Sequence, residues 1–161
     1  MRFFGNFMND NLRIRIASEQ DIPDIYRLII SGRPEGDLGD IETDHVPPGC
    51  YDAFRIIDSD NHQMLIVAEL DGIIIGTMQL TYIHRLTGQG RADCVIESVR
   101  IDARYRNRGY GAKLMRWAID TARSSSCRKI ELTSDLRRHD AHRFYENLGF
   151  TFSHRGAKLW L

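Results

Sequence analysis

Apolar and polar residues alternate along 12–17, LRIRIA, with the two-residue period of a half-buried strand. Ser18 and Asp21 then stand at capping distance before DIYRLII, where the spacing becomes that of a helix. Gly32 to Gly49 reads as a long loop rich in Gly and Pro, and YDAFRIID as a short helix. Two β-rich runs follow, MLIVAEL (64–70) and IIIGTMQLTYI (73–83), joined at Asp71-Gly72, a pair that favours a tight hairpin. CVIESVRI (94–101) continues the meander. The helical pattern YGAKLMRWAIDTARSSS places Leu114, Trp117, Ala118 and Thr121 on one face. KIELTS (129–134) reads as a strand and HDAHRFYENLGF as a helix closed by Gly149, a left-handed C-cap. TFSHRGAKLWL reads as one or two closing strands around Arg155-Gly156. The resulting order, β-α-(α)-β-β-β-α-β-α-β, is an antiparallel meander feeding one β-α-β crossover. It is not the pure alternation of a doubly wound parallel sheet.

Composition narrows the class. A chain of 161 residues suits one domain, with residues 1–11 as an N-terminal extension and 12–161 as the folded unit. Lys plus Arg equals Asp plus Glu, 22 against 22, without the basic excess of a general nucleic-acid binder. Cys50, Cys94 and Cys127 are widely spaced and form no CxxC, which argues against a disulfide framework or structural zinc and for a reducing, cytoplasmic setting. MRFFGNFMNDNL holds no apolar run of signal-peptide length, and no stretch approaches the ~20 apolar residues of a membrane span. Neither nucleic acid nor membrane is expected as a partner.

The chemistry concentrates in VRIDARYRNRGYGAKLM, 99–115, a strand, an arginine-rich turn and a helix start. The first N–H groups of a helix have no intrahelical acceptor, and the helix dipole adds positive potential there. Gly109 and Gly111 allow close backbone approach, and Arg104, Arg106 and Arg108 add charge. A pyrophosphate is the natural ligand. The Lys-Ser/Thr pair of a P-loop is missing, and GYGAKL stops short of GxGxxG, which disfavours a nucleotide-phosphate protein.

With Arg106 three residues before Gly109, the turn reads RxxGxG and resembles the acetyl-CoA loop of the GCN5-related N-acetyltransferase (GNAT) family. AHRFYENLGF, 141–150, is similar to the family's late motif AxxFYxxxGF. The resemblance spans 12–161 in element order, with its specific residues in 97–150. It implies an α/β fold with a mixed, mostly antiparallel, splayed sheet of six or seven strands and about four helices. It also implies acetyl-CoA as co-substrate without a metal, direct attack by a small-molecule primary amine in a ternary complex, and a lean towards a homodimer. The main chain around Val99, Arg100 and Ile101 would meet the pantetheine arm. The amides of Arg106, Asn107, Arg108, Gly109, Tyr110, Gly111 and Ala112 would hold the pyrophosphate. Tyr145 would protonate the departing thiolate. Arg138 stands where the family often has a cofactor-contacting Asn, so it would meet a phosphate or the substrate. A catalytically inactive acyl-CoA-binding regulatory module, or an enzyme acting on protein or peptide amines, remains the alternative.

An alkylammonium is only about one part in ~10³ neutral at pH 7, so the acceptor needs a base. Glu97 is the candidate; strict alternation places it on the face of Val99 and Ile101, and the competing role is an ion pair with an arginine. A backbone N–H near Val99 would meet the developing oxyanion. Tyr145 has an alternative role as a packed core aromatic. His139 and His142 are spaced for a metal without an evident third ligand, and read better as a solvated helix start. Cys94 reads as a buried strand thiol rather than an acyl carrier, and Trp117 and Trp160 as core or dimer-interface residues. Glu35, Asp37, Asp40, Glu42 and Asp44 in the long loop would attract a cationic amine, and the Arg85–Arg91 loop would flank the acceptor.

Overall fold

The computed structural model describes residues 11–32 and 45–160. The acidic positions 35–44 therefore lie outside the described residues, as do residues 1–10. Strand β1, Leu12–Ile16, pairs antiparallel with β2, Gln63–Leu70. β2 turns through Asp71 and Gly72, at φ +50° and +80°, into β3, Ile73–Ile83. Both positive φ values are those of a type I′ turn: Gly72 has no Cβ to clash, and the short polar side chain of Asp71 tolerates the left-handed region. β4, Asp93–Ile101, adds antiparallel to β3, and β5, Ile130–Leu132, adds parallel to β4, giving the order β1-β2-β3-β4-β5. The β4–β5 crossover carries α3, Tyr110–Ser124.

Helices α1, Ile22–Ser31, and α2, Pro48–Ser59, cover one face of the sheet. They close a cluster of Ile22, Ile25, Leu28, Phe54, Val67 and Ile74. Ser18 donates its N–H and its hydroxyl to Asp21 ahead of α1 (2.7 and 3.0 Å), and Arg15 clamps the same carboxylate. α2 begins at Pro48, earlier than the tyrosine that opens the apolar pattern, because proline suits a first helical turn. α3 and α4, His139–Asn147, cover the other face. Tyr110, Leu114, Met115, Ala118 and Ala122 of α3 pack there on Ile66, Ile75, Met78, Leu80 and Ile96. Thr121 instead returns its hydroxyl to the Trp117 carbonyl, 2.8 Å.

Three expectations change. The described residues form five strands rather than six or seven. Residues 151–160 have no regular structure and are exposed throughout. Phe152, Leu159 and Trp160 are too sparse among Ser, His, Arg, Gly and Lys to supply one apolar strand face, and Trp160 lies outside the core at 86% exposure. Finally, β5 stops at Leu132 instead of running to residue 134. Gly149 does take φ +93° after α4, with Phe150 N–H donating to the Tyr145 carbonyl at 3.1 Å.

Candidate active site

β4 and β5 part company at Ile96. The pairs Cys94↔Ile130, Val95↔Glu131 and Ile96↔Leu132 are the whole parallel ladder, whereas β4 runs on to Ile101. Residues 97–101 therefore have β3 on one side only, and their other edge opens as a gap. On the β3 side the register slips by one residue between Thr77 and Gln79, where Ser98 sits at φ +53°. This is a β-bulge, with one extra residue on β4 and a backbone position out of the ladder. A serine held in the left-handed region is uncommon and marks the position as constrained.

The bulge corrects the placement of Glu97. Cys94, Ile96, Val99 and Ile101 all pack into the cluster under α3, so the extra residue moves Glu97 to the opposite face. Glu97 lies across from Gln79, and Arg100 across from Thr77, on the α1–α2 face. Glu97 is exposed, so the sequence argument from the cost of burying a carboxylate does not apply to it, and it makes no ion pair among the described residues. The Arg100 stem packs on α1, where a Cβ at Gly32 would lie 2.4 Å from its Cδ, and its Nη1 donates to the Val99 carbonyl at 2.8 Å.

Past β4 the chain makes a 3-10 turn, Ala103–Tyr105, and enters α3 through Gly109 at φ +84°. The helix's first bond runs from Lys113 N–H to the Gly109 carbonyl, 3.0 Å, so the N–H groups of Tyr110, Gly111 and Ala112 precede the ladder. A Cβ built on Gly109 meets nothing within 4 Å, so the approach to these donors is open. Gly111 differs. Its Cβ would face inward, 3.5 Å from Phe144 and 3.6 Å from Ile101, at ordinary contact distance, so the position would accommodate a methyl group. The Arg106 N–H already donates weakly to Ala103 at 3.4 Å, and its Nε reaches the Ile101 carbonyl at 3.1 Å. Arg106, Asn107, Arg108 and Gly109 are exposed. This donor row suits a diphosphate in its chemistry, and the exposed Arg106 and Arg108 make the turn positively charged.

Arg104 does not join them. It forks onto Asp102 through Nε and Nη2 (3.1 and 2.8 Å). Asp102 also accepts the Arg104 N–H at 3.0 Å and Arg27 Nη1 from α1 at 3.0 Å. The Arg104 guanidinium, then Arg27, holds this buried carboxyl well below the usual carboxylate range. Asp102 is a structural anchor of the turn that the motif pattern did not single out. Its signal was an acid placed directly between an apolar strand and an arginine-rich turn.

Tyr145 is half-buried on α4, edge-on to Phe144 and Phe150 with centroids 5.2 and 5.9 Å away. Burial pushes its phenol above the ordinary value, against the opposing charges of Arg138 and Arg100. Burial thus favours the protonated phenol. Arg138 is exposed at the start of α4. Burial drives the Cys94 thiol up to about 12, which leaves roughly 10⁻⁵ of it as thiolate at pH 7 and unfits it as an acyl carrier. His142 donates Nε2–H to the Asp135 carbonyl at 2.9 Å and packs on Phe152, occupations that serve structure.

A model of the acetyltransferase (GNAT) family matches residues 24–150. The chain belongs to that family. It is 29% identical over 149 residues to an aminoalkylphosphonate N-acetyltransferase of Salmonella typhimurium, covering 88% of this chain and 86% of that one. A crystal structure of a transcriptional regulator from Bacillus halodurans is 36% identical with a TM-score of 0.86, covering 93% of this chain and 99% of the other. An acetyltransferase from Trypanosoma brucei is 27% identical with a TM-score of 0.75, over 94% of this chain and 100% of the other. The family assignment makes the chain an acetyl-CoA-dependent N-acetyltransferase and accounts for the mixed splayed sheet.

Proposed function

We propose that this acetyltransferase acetylates the primary amine of a small molecule carrying an acidic group, by direct attack within a ternary complex. One observation carries the reading. The bulge at Ser98 puts Glu97 and Arg100 together on the α1–α2 face of β4, beside the open edge of the strand. A carboxylate and a guanidinium so placed suit an ammonium and an acid on one compact acceptor. The likeness to an aminoalkylphosphonate acetyltransferase supports that class of acceptor.

Acetyl-CoA supplies the acyl group as an activated thioester. The amides of Asn107 to Ala112, with Arg106 and Arg108, hold its diphosphate, and the open edge of β4 from Val99 to Ile101 holds its arm. Glu97 takes the proton of the incoming ammonium, directly or through one water. The out-of-ladder amide at the bulge faces the charge developing on the carbonyl oxygen, a contribution of about 3 kcal/mol when such donors are fixed in advance. Tyr145 gives its phenolic proton to the leaving sulfur, and the charges of Arg138 and Arg100 stabilise the phenolate left behind. Positioning in the gap supplies much of the remaining acceleration.

Thiol release from acetyl-CoA over an amine panel tests this. Aminoalkylphosphonates and amino acids should turn over faster than polyamines, aminoglycosides or peptide N-termini; preference for a polycation would refute the acidic-acceptor reading. A second reading has its own support, since the 36% identical Bacillus halodurans structure is described as a transcriptional regulator. A regulatory module would bind acetyl-CoA and release no thiol with any amine in the panel.

A further inference from the structure

Just beyond the last β4–β5 pair lies a hydroxyl without an evident use. The Ser134 Oγ is buried and has no hydrogen-bond partner among the described residues. A buried hydroxyl left unpaired costs roughly 1–3 kcal/mol, so native chains keep one where something else satisfies it. Its place suggests what that is. Ser134 follows Leu132 by two residues, at the mouth of the gap where β5 leaves β4. Ile130 and Leu132 of β5 pack with Tyr145 into the cluster under α3, so the chain reaches Ser134 directly from that side of the sheet.

We propose that Ser134 is a coenzyme-binding residue whose hydroxyl pairs with an amide of the pantetheine arm in the gap. A serine hydroxyl both donates and accepts, so it can meet either the carbonyl or the N–H of that amide. The inference rests on the acetyl-CoA reading of the gap and adds a side-chain contact to what is otherwise main-chain recognition. It also explains why the free chain tolerates the orphan: the deficit is made good only on binding.

The sign of two effects tests this. Ser134→Ala removes the unpaired group, so the free chain should melt at the same temperature or ~2–4 °C higher. Calorimetric affinity for coenzyme A should fall about three- to tenfold. Affinity for adenosine 3′,5′-bisphosphate, which lacks the arm, should stay within about twofold. Ser134→Cys, similar in size but a weak hydrogen-bonder, should behave in the same direction. A lower melting temperature for both variants would show that the hydroxyl has a partner within the fold and overturn the proposal. Unchanged coenzyme A affinity, or an equal loss for both ligands, would overturn it as well. Wild-type chain that binds neither ligand would sink the acetyl-CoA reading itself, a result distinct from the other two.

Discussion

Replacing Asp102 by Asn probes how the diphosphate cradle is held. The wild-type carboxylate is 7% exposed and takes four donors, three from Arg104 and one from Arg27, at 2.8–3.1 Å. Asparagine keeps one oxygen, which can still serve the Arg104 N–H and one guanidinium nitrogen. Its amide nitrogen, however, would turn a donor towards donors, so about two bonds are lost. The partner side chains are 45% and 69% exposed and recover water, so they are not stranded. At about 1–1.5 kcal/mol per lost bond the penalty is about 2–3 kcal/mol, which for a chain of this length lowers the melting temperature by roughly 4–10 °C. The loss should extend to function, because the turn anchored by Asp102 leads straight into the α3 donors. Differential scanning calorimetry of the free chain, paired with coenzyme A calorimetry, reads both. An Asp102→Asn chain that melts within about 1 °C of wild type and binds coenzyme A equally well would refute the anchoring argument.

Other outcomes follow from the same geometry. Gly109→Ala forces a Cβ into φ +84° and should cost about 1–2 kcal/mol with weaker coenzyme A binding. Gly111→Ala, whose Cβ would sit at ordinary contact distance from Phe144, should leave both nearly unchanged; thermal melts with and without ligand compare the pair. Tyr145→Phe should lower kcat about 10²-fold or more while the KM for acetyl-CoA moves less than about twofold, and an unaltered kcat removes Tyr145 from the chemistry. In acid, Asp21 matters. Its pKa is lowered from 3.8 to about 2, chiefly by the Arg15 hydrogen bond, so the unfolded chain binds the proton more readily than the folded one. Its contribution is complete above about pH 4 and fades as pH falls through 2. Urea melts across that window should show a shallower pH dependence for Asp21→Asn than for wild type.

The sheet was legible wherever the period was clean. The β2–β3 hairpin followed from Asp71-Gly72 between two apolar runs, and Gly149 took the positive φ of the left-handed C-cap expected there. The strand-turn-helix motif of the candidate site was legible, but the facing of its side chains was not. Nothing in IESVR announces that Ser98 will bulge, since the residue in the left-handed region is not a glycine, and one inserted residue turns Glu97 to the other face. The charge inventory of the turn was likewise ambiguous, because three arginines look alike until a buried Asp102 claims one of them. The closing strands were over-read. An apolar residue at either end of TFSHRGAKLWL does not make a face, and a β5 of three residues offers little edge to pair with.

The most direct measurement is an amide titration followed by nuclear magnetic resonance, with coenzyme A added to uniformly labelled protein. The largest shifts should fall on the N–H groups of Asn107 to Ala112 and on those from Ser98 to Ile101, and inorganic pyrophosphate alone should reproduce the first set without the second. Shifts that avoid the start of α3, or no perturbation at saturating coenzyme A, would contradict the cradle on which the mechanism depends.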